Sequence, residues 1–290
     1  MNRATPPRVL TTVAEMRAET RAARAAGRRI AFVPTMGYLH RGHASLLEAA
    51  RRHGDVAVLS IFVNPAQFGP KEDLSRYPRD LPGDLEVART AGADLVFHPE
   101  AADMYPAGYQ TYVQVRELEQ GLCGGSRPGH FIGVATVVLK LLHIVEPHVA
   151  IFGEKDFQQL QVIRRMVRDL HLDVDIVGMP IVREDDGLAL SSRNSYLSQG
   201  ERTRALALSR ALGAARDRFA AGARRAGAIV DAARAVIGDA EGVRLDYLEL
   251  RDAETLASLA AADDVSRPAV LAVAAFVGRT RLIDNVQLHP

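Results

Sequence analysis

Short apolar runs alternate with helical stretches through the first 178 residues, and this alternation limits the possible folds more than any other feature of the chain. Arg29–Val33, Asp55–Val63, Asp94–Phe97, Val149–Phe152 and Val174–Val177 read as strands, the first of them stopping at Pro34. Between them Thr12–Ala26, His43–His53, Leu85–Ala91, Gly133–Val145 and Asp156–His171 read as helices. Thr12 and Glu15, three apart, form a capping box at the start of the first. Thr111–Val115 alternates and reads as an edge strand. Strands and helices in this order predict a parallel sheet with helices on both faces, which holds ligands at the carboxyl ends of its strands. The chemically unusual residues of this chain fall at those ends.

The pattern changes after residue 178. Gln199–Ala221 and Ala226–Ile237 are Ala- and Arg-rich helices, followed by strand-like runs at Val243–Leu250, Val270–Val277 and Thr280–Leu288. Helices followed by strands at hairpin spacing predict a small α+β domain. A chain of 290 residues with 48% apolar and 24% charged residues has ample material for such a core. Its net charge of +1 removes the case for a dedicated nucleic-acid binder, which would be strongly basic. The longest apolar run, Ala269–Val277, is about half of what a membrane-spanning helix needs. The first seven residues, Met1–Pro7, lack the apolar block of a signal peptide, and a single cysteine, Cys123, excludes an intramolecular disulfide. A cytoplasmic protein without membrane or nucleic-acid partners is expected.

Four clusters carry the candidate chemistry. The first, Pro34-Thr35-Met36-Gly37-Tyr38-Leu39-His40-Arg41-Gly42-His43, runs from a strand into a helix. Its glycines allow close backbone approach, the helix N-terminus offers N–H groups and a positive dipole end, and His40 and His43 share a face. A triphosphate site is one reading; a zinc pair and a plain turn with surface histidines are the others, although zinc lacks a local third ligand. The second cluster is Asn64-Pro65-Ala66-Gln67, whose neutral amides suit a carboxylate or hydroxyl, or a simple polar loop. The third is Gly153-Glu154-Lys155-Asp156-Phe157-Gln158-Gln159. Only three of the 36 basic residues are lysines (Lys71, Lys140 and Lys155), so Lys155 suggests a point charge for a phosphate, against an ion pair with Glu154 or Asp156. The fourth is Leu190-Ser191-Ser192-Arg193-Asn194, beyond the acidic turn Glu184-Asp185-Asp186. Its hydroxyls and guanidinium could close over phosphates or simply face solvent. Arg127 could pair with a substrate carboxylate or hold a loop, and Cys123 has no evident base partner.

Together and in this order, the clusters resemble the pantothenate synthetase (pantoate–β-alanine ligase) family of the HIGH-motif nucleotidyltransferase superfamily. The resemblance runs from Phe32 to Leu197, and Leu245-Asp246-Tyr247-Leu248-Glu249 with Thr280-Arg281-Leu282-Ile283-Asp284-Asn285 extends it to nearly the whole chain. It implies an α/β fold: a Rossmann-like parallel-sheet N-terminal domain, residues 1–178, that binds ATP and pantoate, and a smaller α+β C-terminal domain, residues 179–290, that acts as a lid and is associated with a homodimer. The implied reaction takes ATP, with Mg²⁺, pantoate and β-alanine to pantothenate, AMP and pyrophosphate.

Carried over by motif, Met36, Gly37, Tyr38, Leu39, His40, Arg41, Gly42 and His43 line the ATP site. Gly153, Glu154, Lys155, Asp156, Val182, Leu190, Ser191, Ser192 and Arg193 join them. His43 is the implied catalytic histidine, acting with His40, Lys155, Ser191, Ser192 and Arg193. Gln67 and Gln159 hold pantoate, and Gln67 also meets β-alanine. The resemblance leaves the protein ligands of the metal unassigned. Leu190 stands where many members have Met, Lys71 where Asn is frequent, and His148 where Asp is common.

Overall fold

The structure, a computed structural model, describes residues 5–70 and 72–290, so Lys71 lies outside the described residues. Six parallel strands form one sheet: β1 (Arg8–Leu10), β2 (Ile30–Thr35), β3 (Val56–Ile61), β4 (Leu95–Phe97), β5 (Val149–Gly153) and β6 (Asp175–Met179). Their spatial order is β1-β4-β3-β2-β5-β6. The chain therefore leaves β2 toward β3 on one side and returns to β5 on the other, making the carboxyl end of β2 the switch point where ligands bind in open α/β sheets.

The helices between these strands, in chain order, are α1 (Val13–Ala25), α2 (Arg41–His53), α3 (Leu81–Ala91), α4 (Ala101–Met104), α5 (Leu122–Ser126), α6 (His130–Val145) and α7 (Phe157–Asp169). Thr12 and Glu15 cap α1 reciprocally, as their spacing predicts. Leu47, Ala49 and Ala50 of α2 and Ala88 and Ala91 of α3 bury themselves against Ala31, Val33, Leu59 and Ile151. The opposite-parity residues Ile30, Phe32, Val56 and Val58 are buried as well, as strands covered on both faces must be.

Two expectations fail here. β2 continues through Pro34 to Thr35, because Arg29 and Thr35 accept from β3 and residue 34, of opposite parity, faces β5. Pairing with β5 ends at Phe32↔Ala150, so the missing N–H of Pro34 interrupts no ladder. Thr111–Val115 is not a strand: it is largely exposed, and the Val113 N–H donates to Thr136 Oγ1 (2.9 Å) instead of to a neighbouring strand. His148 earns its place structurally, its Nδ1 accepting from the Ile30 N–H (2.9 Å) where β2 begins.

Two compact units result. One comprises the chain up to Glu119 with Arg127–Glu154 and Gln159–Pro180; the other comprises Gln120–Ser126, Lys155–Gln158 and Ile181–Pro290. The second contains α8 (Gln199–Ala220), α9 (Ala226–Gly238) and an antiparallel sheet of β7 (Val243–Asp252), β8 (Ala269–Val277) and β9 (Thr280–Leu288), with β8 central. Leu208, Ala211, Ala215, Ile229 and Ala233 pack on Leu248, Leu271, Val273 and Ala275 to make its core. No helix among the described residues is long and apolar enough to cross a membrane.

Gly133 in α6 lies directly on the carbonyl of Ala66, where a Cβ has no room. Gly213 in α8 has nothing within 4 Å of the position a Cβ would take. Gly133→Ala should therefore cost about 1–3 kcal/mol through overpacking. Gly213→Ala should stabilise α8 by roughly 0.5–1 kcal/mol through its helix propensity. Urea denaturation of the two variants beside the parent checks both signs.

Candidate active site

The loop that leaves β2 at the switch point is held by a carboxylate. Gly37 (φ +84°) and Tyr38 (φ +51°) both take left-handed backbone, turning two successive N–H groups the same way. Asp84 of α3, buried, receives them: Tyr38 N–H on Oδ2 (2.9 Å) and Leu39 N–H on Oδ1 (2.6 Å). A Cβ on Gly37 would lie 2.8 Å from Asp84 Oδ2 and 3.0 Å from Ile61, so glycine is required there by contact as well as by conformation. Burial pushes the Asp84 carboxyl above its usual range, and the two backbone donors only partly offset that. Sequence reasoning missed Asp84, which shares its helix with Glu86, Arg89 and Thr90 and so carries no signal of its own.

α2 starts two residues before its expected position, with His40 as its N-cap. The two histidines cap each other: Gly42 N–H donates to His40 Nδ1 (3.1 Å), and His40 N–H donates to His43 Nδ1 (3.3 Å). Their rings lie 4.1 Å apart. Because a backbone N–H can only donate, each Nδ1 must accept, and the proton of each neutral ring resides on Nε2. The expectation of a helix N-terminus offering backbone N–H groups is corrected accordingly. The N–H groups of Tyr38, Leu39, His40, Gly42 and His43 are engaged within the protein, the last with the His40 carbonyl (2.8 Å), so donor capacity passes to the imidazoles.

Gln67 lies on a short turn, Pro65–Gln67, that follows β3. Asn64 orients it. The Asn64 Oδ1 accepts from Tyr105 Oη–H (2.8 Å), which leaves Nδ2 to donate to Gln67 Oε1 (3.0 Å) and to the Gly133 carbonyl (3.1 Å). With its oxygen occupied, Gln67 turns Nε2 outward, against Met36 Sδ at 3.1 Å. Sulfur is a weak acceptor that a carboxylate or hydroxyl oxygen outcompetes. A residue assigned to pantoate and one assigned to ATP are thus brought together. Gly153 ends β5, the strand beside β2, and Glu154 opens the 3-10 turn Glu154–Asp156 that follows. Gln159 is half-buried on α7, whereas Gln158 is structural: its Oε1 accepts from Cys123 N–H (2.9 Å) and its Nε2 donates to the Gly121 carbonyl (3.2 Å).

The remaining candidates belong to the second unit. Lys155 Nζ pairs with Asp156 at 3.2 Å, the ion pair that its sequence neighbours offered. Val182 and Leu190 are joined by a backbone hydrogen bond of 3.0 Å. Ser191 Oγ accepts from Arg193 N–H (3.3 Å) at the head of a 3-10 turn, Ser192–Tyr196, in which Ser192 is buried. Among the described residues no group of three or more His, Cys, Asp or Glu side chains could hold a metal ion.

These motifs, in this order on this sheet, agree with comparisons to known proteins. The sequence profile of the family described as pantoate-beta-alanine ligase matches residues 8–287. The chain belongs to this family. A relative from Myxococcus xanthus, named pantothenate synthetase, is 59% identical over 283 residues, covering 97% of this chain and 96% of its own. The crystal structure of pantothenate synthetase from Thermus thermophilus matches with a TM-score of 0.91 at 49% identity, over 98% of this chain and 100% of that one. A pantoate-beta-alanine ligase from Francisella tularensis, solved in complex with beta-gamma ATP and beta-alanine, matches with a TM-score of 0.79 at 32% identity over 97% of each chain. Membership makes the protein an ATP-dependent ligase that forms pantothenate from pantoate and β-alanine.

In this ligase Arg127, which could pair with a substrate carboxylate or hold a loop, has a loop partner. It pairs with Glu72 through Nε (2.7 Å) and Nη2 (2.6 Å), and with His130 it holds the Gln67 carbonyl. Burial raises the Glu72 carboxyl most, but the Arg127 hydrogen bond and charge, with the Gly69 N–H, together bring it below its ordinary 4.5. A lowered folded value means stabilisation that is full above pH 4.5 and is lost as pH falls through the lowered value. Glu72→Gln should therefore lower the melting temperature at neutral pH and flatten its decline on acidification. Thermal melts across that range check the prediction.

Proposed function

We propose that the ligase works through a pantoyl adenylate, with its two fixed imidazoles as the donors that meet the triphosphate. A carboxylate is a poor electrophile toward an amine, so it must first become a mixed anhydride. A pantoate carboxylate oxygen attacks the α-phosphorus of ATP, and the bond to the bridging oxygen breaks as pyrophosphate leaves with the bonding pair. The β-alanine amine then attacks the acyl carbon, the acyl–oxygen bond breaks, AMP departs, and the amine proton is released as the amide forms. Negative charge builds on the pyrophosphate in the first step, so the protein must supply cations and donors there and needs no covalent nucleophile.

The observation that carries this reading is the reciprocal cap of His40 and His43, which fixes two Nε2–H donors at the switch point of the sheet. Met36, Gly37, Tyr38, Leu39, Arg41 and Gly42 shape the same loop around ATP. Lys155, Ser191, Ser192 and Arg193 supply the charge and hydroxyls of the second unit, where Asp156 is the partner a phosphate replaces at Lys155. Gly153, Glu154, Val182 and Leu190 complete the nucleotide contacts. Gln67, its oxygen already occupied, offers Nε2–H to pantoate and then to β-alanine, and Gln159 assists with pantoate. Mg²⁺, held by the triphosphate itself, would supply charge neutralisation. The family resemblance supports two further parts of the proposal, a homodimer and a cytoplasmic setting.

His43→Ala and Lys155→Ala should each lower adenylation by about 10²-fold or more with the fold intact, the scale of losing one transition-state donor. Near-parental turnover of either purified variant would remove that residue from the mechanism. Gln159→Ala should raise KM for pantoate far more than KM for ATP. The adenylate itself is tested by pantoate-dependent exchange of labelled pyrophosphate into ATP without β-alanine: exchange is expected, and a strict requirement for β-alanine would contradict an intermediate formed before the amine binds.

A further inference from the structure

The Arg281-Leu282-Ile283-Asp284-Asn285 run of β9 is distant in sequence from the residues assigned to ATP, yet it fastens both loops that bear them in the second unit. Asn285 is 3% exposed, and its Nδ2 donates to the backbone carbonyl of Lys155 at 2.9 Å. Its neighbour Asp284, 4% exposed, takes a two-pronged pair from Arg183: Nη1 to Oδ2 at 2.7 Å and Nη2 to Oδ1 at 3.0 Å. Arg183 opens the loop that leads from Val182 to Arg193, and its Nη1 also donates to the Gly187 carbonyl (3.1 Å) inside that loop. The Asn285 N–H closes the arrangement by donating to Asp284 Oδ1 (2.8 Å). Two adjacent residues on one strand therefore hold the Lys155 segment and the 182–193 loop at once.

We propose that Asp284 and Asn285 are positioning residues that set Lys155 and the Ser191–Arg193 loop relative to each other, so that the cations and hydroxyls of the second unit meet the triphosphate as one preformed set. The inference rests on the reading of those groups as ATP-directed. Both side chains are buried and neither is assigned to a substrate. A paired fork and an amide that donates to a main-chain carbonyl fix backbone, where a surface ion pair would only add charge. A transition-state donor displaced by about 1 Å loses on the order of 10²-fold in rate, so anchors behind the donors are visible in the chemistry.

The test is a set of double-mutant cycles read by pantoate-dependent pyrophosphate exchange. Asn285→Ala removes the amide; Asn285→Asp keeps its shape but cannot donate, and serves if the alanine variant fails to fold. Either should lower kcat/KM for ATP by on the order of 10–100-fold with KM for pantoate unchanged, and should add little in a Lys155→Ala background. Asp284→Asn should show the same loss, adding little in an Arg193→Ala background. A purely structural role would lower the melting temperature and leave turnover per folded molecule intact, which overturns the proposal. Full additivity in both cycles also overturns it, with the role of Lys155 untouched. If Lys155→Ala alone leaves exchange unchanged, the reading of Lys155 falls and this inference falls with it.

Discussion

A buried carboxylate holds the point from which the rest of the site is built. Asp84 grips the Tyr38 and Leu39 N–H groups just beyond β2, and that grip needs two residues in left-handed backbone, one of which must be glycine. The sheet order puts the carboxyl end of β2 at the switch point, so the loop emerges where a ligand can lie. With the loop tied to α3, His40 caps α2 and the two histidines close on each other's backbone. The protein thus consumes its own N–H groups to fix two side chains. Under the proposed mechanism, imidazoles oriented in advance need no reorganisation when charge develops.

The two units fasten their loops by different means. In the first, a lone carboxylate (Asp84) holds backbone, an Arg127–Glu72 pair backs the Gln67 carbonyl, and neutral groups orient the Gln67 side chain, from Tyr105 through Asn64. In the second, guanidinium forks dominate: Arg183 on Asp284, Arg202 on Glu184 and Asp186, and Arg281 on Asp246. This explains why a chain so poor in lysine can still be well held, since the fork binds carboxylates in two places at once. Lys140 qualifies the argument from lysine scarcity. Its Nζ lies 4.2 Å from the Tyr109 ring and 5.0 Å from the Tyr105 ring and donates to the Met104 carbonyl, a structural use of an ammonium. Rarity alone therefore does not mark a lysine as phosphate-directed.

Much of the fold was legible because it is written in local signals. Apolar runs such as Val56–Ile61 and the Thr12–Glu15 cap declare themselves without tertiary context. The end of β2 did not, since whether Pro34 breaks a strand depends on which neighbour its missing N–H would face. Thr111–Val115 has the right alternation but pairs with no strand, and its Val113 N–H goes instead to a threonine hydroxyl 23 residues away. For the site, His40 and His43 were legible from spacing, while Asp84 lies 45 residues from the backbone it holds at Leu39. Asp284 reaches 101 residues to Arg183. Contacts of that kind carry no local sequence signature.

Long-range proton–nitrogen spectra of the histidine rings test the fixed tautomers most directly, because every role given to the loop passes through them. With ring nitrogens labelled and pH held above the histidine range, both His40 and His43 should show a bare Nδ1 and a protonated Nε2. Substitution of either residue should remove its own signals and release the other ring into a tautomer mixture. A protonated Nδ1 on either ring in the parent protein would contradict the reciprocal cap, and with it the claim that two oriented Nε2–H donors face the triphosphate.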